Sequence, residues 1–137
     1  MVCNGPQGEE DILLTVPDSE HCASVDETVL HIDAANPETK LTKSGLQEQA
    51  QKIAHGLRHK YGIGANGPNK DVITVMSYGQ VMVPAMFYGT IIAGGVYSAA
   101  SPSSTVSELA RQISTGNSNL VVCNTELKDI EIGRAHV

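Results

Sequence analysis

The sequence predicts an α/β fold with a mostly parallel sheet, and three observations carry that prediction. Two short β-branched apolar runs, Asp71 to Ser77 (DVITVMS) and Asn119 to Cys123 (NLVVC), have the composition of strands buried on both faces. Segments of helical period stand between the strand-like runs. Cap and breaker residues separate the two kinds, giving the order β-α-β-α-β-α-β that right-handed crossovers convert into a parallel sheet.

Each element has its own signal. Residues 1–27 are acidic and punctuated by Gly and Pro, with one apolar patch, Ile12 to Val16, suited to a short turn of helix or strand; they read as a docking arm. Thr28 to Ala34 alternates and is β-branched, Asn36 to Thr39 supplies turn residues, and Leu41 and Thr42 resume an extended run, so a short hairpin is expected. Ser44 is the expected cap of a helix in which Leu46, Ala50, Ile53, Ala54 and Leu57 trace one apolar face. The polar loop Gly62 to Asn69 leads into the first core strand.

Gly79 to Gly95 then reads as a helix, with Pro84 near its first turn, where a missing N–H costs little, and Gly94-Gly95 as its end. Val96 to Ala99 is extended, and Ala100 to Ser104 is a loop. Thr105 or Ser104 caps a further helix, Glu108 stands where a capping box on Thr105 needs it, and Val106, Leu109, Ala110 and Ile113 form the apolar face. Asn119 to Cys123 is the last buried-type strand.

Composition sets broad limits. The chain has 137 residues, 41% hydrophobic and 18% charged, which suits one small globular domain. Its formal net charge of -6 is unevenly placed, because residues 1–39 contain no Lys or Arg, and an acidic leading arm opposes a nucleic-acid partner. Cys3, Cys22 and Cys123 are odd in number and lack metal-ligand spacing, so they read as free thiols of a reducing, intracellular compartment. The N-terminus MVCNGPQGEEDILL has neither a basic region nor an adequate apolar core for a secretory signal.

Several features mimic chemistry that their context removes. Val81 to Ala100 carries no charge over a length that could span a bilayer, yet Pro84 and the Gly94-Gly95 break divide it into a buried helix and a core strand, so no stable membrane span is expected. Gly62-Ile63-Gly64-Ala65-Asn66-Gly67 spells GxGxxG, but a helix precedes it and a strand follows, the reverse of a dinucleotide fingerprint; Gly62 or Gly64 is read as a helix C-cap. His55 and His59 lie four apart without an intervening HExxH glutamate or an evident third ligand, and read as surface histidines. Ser101, Ser103, Ser104 and Thr105 have no paired base and read as loop and capping residues, while Glu9, Glu10 and Asp11 read as a solvated acidic run.

A resemblance rests on several passages together. Leu41-Thr42-Lys43-Ser44-Gly45-Leu46 is similar to the first core motif of the adenylate-forming (AMP-dependent synthetase/ligase) enzymes, commonly LTYxEL, although Lys43 and Gly45 depart from its aromatic and acidic positions. Gly56-Leu57, Tyr61 to Gly64 and Asp71 to Val75 resemble that family's passage from helix through loop to strand, lengthened here by Ala65 to Lys70. Ala93 to Tyr97 with Ser101-Pro102, continued by Glu108-Leu109, resembles the second core motif. The likeness covers residues 28–125 and is nearest in character to acyl-CoA synthetases and 4-coumarate-CoA-ligase-like enzymes.

The resemblance implies a domain plan and a reaction. Residues 28–130 are expected to form the incomplete N-terminal part of an adenylate-forming large domain. Residues 131–137 (EIGRAHV) continue no pattern and match translated read-through of a common short-read sequencing adapter, so they are read as foreign. In such enzymes ATP and Mg²⁺ activate a carboxylic acid as an acyl-adenylate, and CoA then displaces AMP. The family's phosphate loop, adenine-binding segment, ribose-binding aspartate and catalytic lysine have no counterparts here, and Ser114-Thr115-Gly116 ends a helix instead of following a strand. No catalytic, cofactor-binding or metal-binding residue is assigned.

The expected function is therefore that of an N-terminal fragment of an ATP-dependent acid-CoA ligase. It is inactive alone, holds no cofactor itself, and lacks the downstream part of its own domain as a partner. The parent is expected in the cytoplasm or the peroxisome. Its sheet edges and apolar faces are expected to stay open and to favour aggregation. The alternative is a self-contained small α/β binding module.

Overall fold

The structure, a computed structural model, describes residues 27–127. The acidic arm up to residue 26, the patch Ile12 to Val16, Cys3, Cys22 and residues 131–137 lie outside the described residues. A hairpin opens the described chain: β1 (Val29–Ile32) pairs antiparallel with β2 (Lys40–Thr42), with an irregular register between Val29 and His31. Asp33 shapes its turn, the Oδ1 accepting from the N–H groups of Ala35 and Asn36.

Helix α1 (Lys43–Tyr61) follows without a loop. Its cap is Thr42, whose Oγ1 accepts from Gly45 N at 3.1 Å, and Ser44 lies within the first turn. The expected capping position thus moves by two residues, because Thr42 keeps the extended backbone a cap requires. The apolar face is as expected, with Ala50, Ala54 and Leu57 buried.

The core sheet has three parallel strands in the order β4-β3-β5, with β3 (Val72–Met76) between β4 (Val96–Ala100) and β5 (Ser118–Cys123). Alternation along β3 builds two cores. Ile73 and Val75 pack with Ala54 and Leu57 of α1, with Ala93, and with Met86 and Ile92 of the second helix. Met76 turns to the other face, where it meets Ala100, Leu109 and Leu127. The sheet therefore lies between α1 and α2 (Val83–Ile92) on one side and α3 (Val106–Gly116) on the other.

Three expectations are refined. Helix α2 begins at Val83 instead of Gly79, since Gly79 has φ +78°, and Pro84 occupies the first turn as expected. Helix α2 is buried on one side only, through Ala85, Gly89 and Thr90, while Phe87 is exposed. On α3, Leu109 is buried but Val106 and Ala110 face outward. Both edges of β3 are filled, so among the described residues the open edges of this sheet are those of β4 and β5. Strand β5 is accordingly half-buried.

Candidate functional site: the crevice at the carboxyl ends of β3 and β5

Leaving β3, the chain connects through α2 to β4 on one side, and the next connection passes through α3 to β5 on the other. A parallel sheet has its ligand crevice at such a switch point, beyond the carboxyl ends of the strands. Ser77, Tyr78, Gly79 and Gln80 follow β3 there, and Asn124 follows β5. Two cavities meet at this end. One, of about 180 Å³, has an apolar wall that includes Ile53, Val75, Met86 and Val122, with Ser77, Gln80 and Asn124 as its polar members. The other, an open cleft of about 820 Å³, runs between residues 30–35 of the hairpin and residues 78–84.

Two polar atoms at this end are buried without a partner, Ser77 Oγ and Asn124 Oδ1. Buried groups of this kind are ordinarily bonded, so they mark where a further group belongs. The chemistry available is that of neutral donors and acceptors above an apolar floor. Asp33 spends Oδ1 on its own turn, and Glu126 accepts from Asn124 Nδ2 at 3.4 Å. Among the described residues that line the two cavities there is no Lys or Arg. The lining can bind and orient a group, but it offers no cationic donor for a triphosphate, and its carboxylates oppose one. The residues described here therefore do not fit ATP, and no reaction step is routed through it.

The other motifs fall into place as structure. Gly62 is the left-handed C-cap of α1, at φ +68°. Gly64 has φ +84°, and a Cβ there would run into the carbonyl oxygen of Ala93. Asp71, 4% exposed, holds this loop through Oδ2, which accepts from Gly64 N at 2.7 Å. The GxGxxG letters thus record loop closure. His55 and His59 are exposed, with ring centroids 4.1 Å apart, and no group of three potential metal ligands occurs among the described residues. Ser101 organises its own loop, accepting from Ser103 N on Oγ and from Ser104 N on its carbonyl. Thr105 forms the expected capping box with Glu108. Among the described residues no helix is long and apolar enough to cross a membrane. Ser77, Gln80 and Asn124 were not singled out by sequence; a polar residue directly after a buried strand is the signal that marks two of them.

The second core passage spans the end of α2, all of β4 and the start of α3, which is the frame around this crevice. Residues 19–136 match the sequence family described as AMP-binding enzyme. The chain belongs to that family. A protein of Emericella nidulans named as an acyl-coenzyme A synthetase is 39% identical over 116 residues, which cover 85% of this chain and 21% of that protein. An Arabidopsis thaliana protein named 4-coumarate–CoA ligase-like 8 is 31% identical over 96 residues, covering 70% of this chain and 16% of its own length. The fold of this AMP-binding family member is that of solved adenylate-forming enzymes. A benzoate CoA ligase from Burkholderia xenovorans superposes with a TM-score of 0.67 at 21% identity, over 77% of this chain and 20% of the ligase. The chain thus spans about a fifth of the length of the relatives it matches.

Proposed function

We propose that this chain is the N-terminal part of an AMP-forming acid-CoA ligase. The observation that supports this most directly is the pair of curated relatives, both named for work with CoA, aligned over the region that carries both core passages. In the parent, ATP with Mg²⁺ converts a carboxylic acid to an acyl-adenylate, and the CoA thiol takes the acyl group. The part described here contributes the central strand β3, its two neighbours and the covering helices against which the remaining domain is completed. The chain alone is inactive, because none of its described residues provides a phosphate cradle or a catalytic lysine.

Pyrophosphate exchange into ATP, measured over a panel of aliphatic and aromatic acids, tests this reading. The protein encoded by the complete reading frame is expected to exchange with at least one acid and to form its CoA thioester, and the 137-residue chain is expected to do neither. Exchange by the 137-residue chain itself would overturn the reading.

A further inference from the structure

The hairpin β1–β2 leaves a physical problem unsolved. A two-stranded ribbon is marginal in water unless a third strand or a helix covers it. Here β1 pairs with β2 alone among the described residues, and Val29, Leu30 and Ile32 are 43%, 42% and 56% exposed. The 820 Å³ cleft beside it is lined by six consecutive residues, 30–35. Side chains of a strand alternate between faces, so a cleft touching consecutive residues runs along the strand's edge and not over one face. Its opposite wall includes Tyr78, itself 59% exposed. The cleft therefore presents unpaired backbone groups on one side and apolar surface on both.

We infer that the segment Ile12 to Val16 fills this cleft as a third strand along the free edge of β1. Twelve residues, 17–28, separate Val16 from Val29. At about 3.3–3.6 Å per residue that connection reaches roughly 40 Å, ample to return beside β1. The tether also gives the segment a high local concentration that a separate partner lacks. Its sequence, ILLTV, is apolar and partly β-branched, and it is the apolar patch of an arm that is otherwise acidic and broken by Gly and Pro. In extended form Ile12, Leu14 and Val16 share one face, available to Leu30, Ile32 and Tyr78. Backbone bonds along the edge would convert the marginal ribbon into a three-stranded sheet, as in other cases of strand addition. The inference concerns the hairpin and is independent of the proposed ligase activity.

The test uses the full 137-residue chain with benzoylphenylalanine carried at position 78, irradiated at low micromolar concentration, and the adduct mapped by mass spectrometry. The expected product is an adduct within one chain to residues 12–16. An adduct between two chains, or one elsewhere on the same chain, overturns the inference. Hydrogen exchange provides the second reading. Leu14→Asp is expected to speed exchange of the amides of residues 30–33 by tenfold or more while those of residues 72–76 keep their protection, and an unchanged rate at residues 30–33 counts against the inference.

Discussion

At the scale of single residues, the clearest chemistry is at the start of α3. Thr105 N donates to Glu108 Oε2 at 2.8 Å, and Thr105 Oγ1 accepts from Glu108 N at 3.3 Å. The first of these bonds, followed by that from the Thr105 hydroxyl, holds the Glu108 carboxyl below its ordinary value. A carboxylate lowered by folding stabilises the folded state above its unfolded pKa, and that contribution disappears as pH falls through the lowered value. Thr105→Ala is expected to cost about 1 kcal/mol near neutral pH. Urea titrations should show the gap between wild type and variant narrowing once the medium is acid enough to protonate Glu108; a gap that widens would refute the assignment. Glycines give a paired comparison. Gly64→Ala meets both a positive φ and the Ala93 carbonyl, and should lose more than about 1 kcal/mol. Gly56→Ala, with nothing within 4 Å of its added Cβ inside α1, should gain about 0.5–1 kcal/mol.

At the scale of elements, the two cores make unequal demands. The face beneath α3 rests on Leu109, fully buried against Met76, Ala100 and Leu127. Leu109→Ala should therefore cost about 2–5 kcal/mol in the same titration, the range for a buried leucine that leaves a cavity. The elements themselves were legible in the sequence wherever two signals agreed. Strand β3 is a continuous β-branched run because both its faces are buried, and α3 opens on a capping box that can be read by spacing alone. Where only one signal was present, the boundaries moved. Ser44 and Thr42 are both acceptable caps by composition, and backbone geometry selects Thr42. Gly79 looked helical because uncharged residues follow it, but its positive φ delays α2 by four residues. The crevice was the least legible part. Ser77 and Asn124 converge from positions 47 apart in sequence, and only the order β4-β3-β5 brings them to one end of the sheet.

At the scale of the whole molecule, the chain is a three-layer unit with unfinished surroundings. Its central strand is complete on both edges, yet β4 and β5 each keep one open edge among the described residues, and two buried polar atoms at the crevice lack partners. These features match a chain that spans about a fifth of its relatives and shares their fold. They also explain why the family was readable while its chemistry was not: the core passages that define the frame are here, and the crevice lining alone cannot hold a triphosphate. The measurement that bears most directly on this account is the sequence of the transcript past codon 130, taken from reads that carry no adapter. The account predicts an in-frame continuation into a Ser/Thr/Gly-rich loop ending in Pro-Lys-Gly. A genuine stop directly after Val137 would contradict it and make the small α/β binding module the reading to pursue.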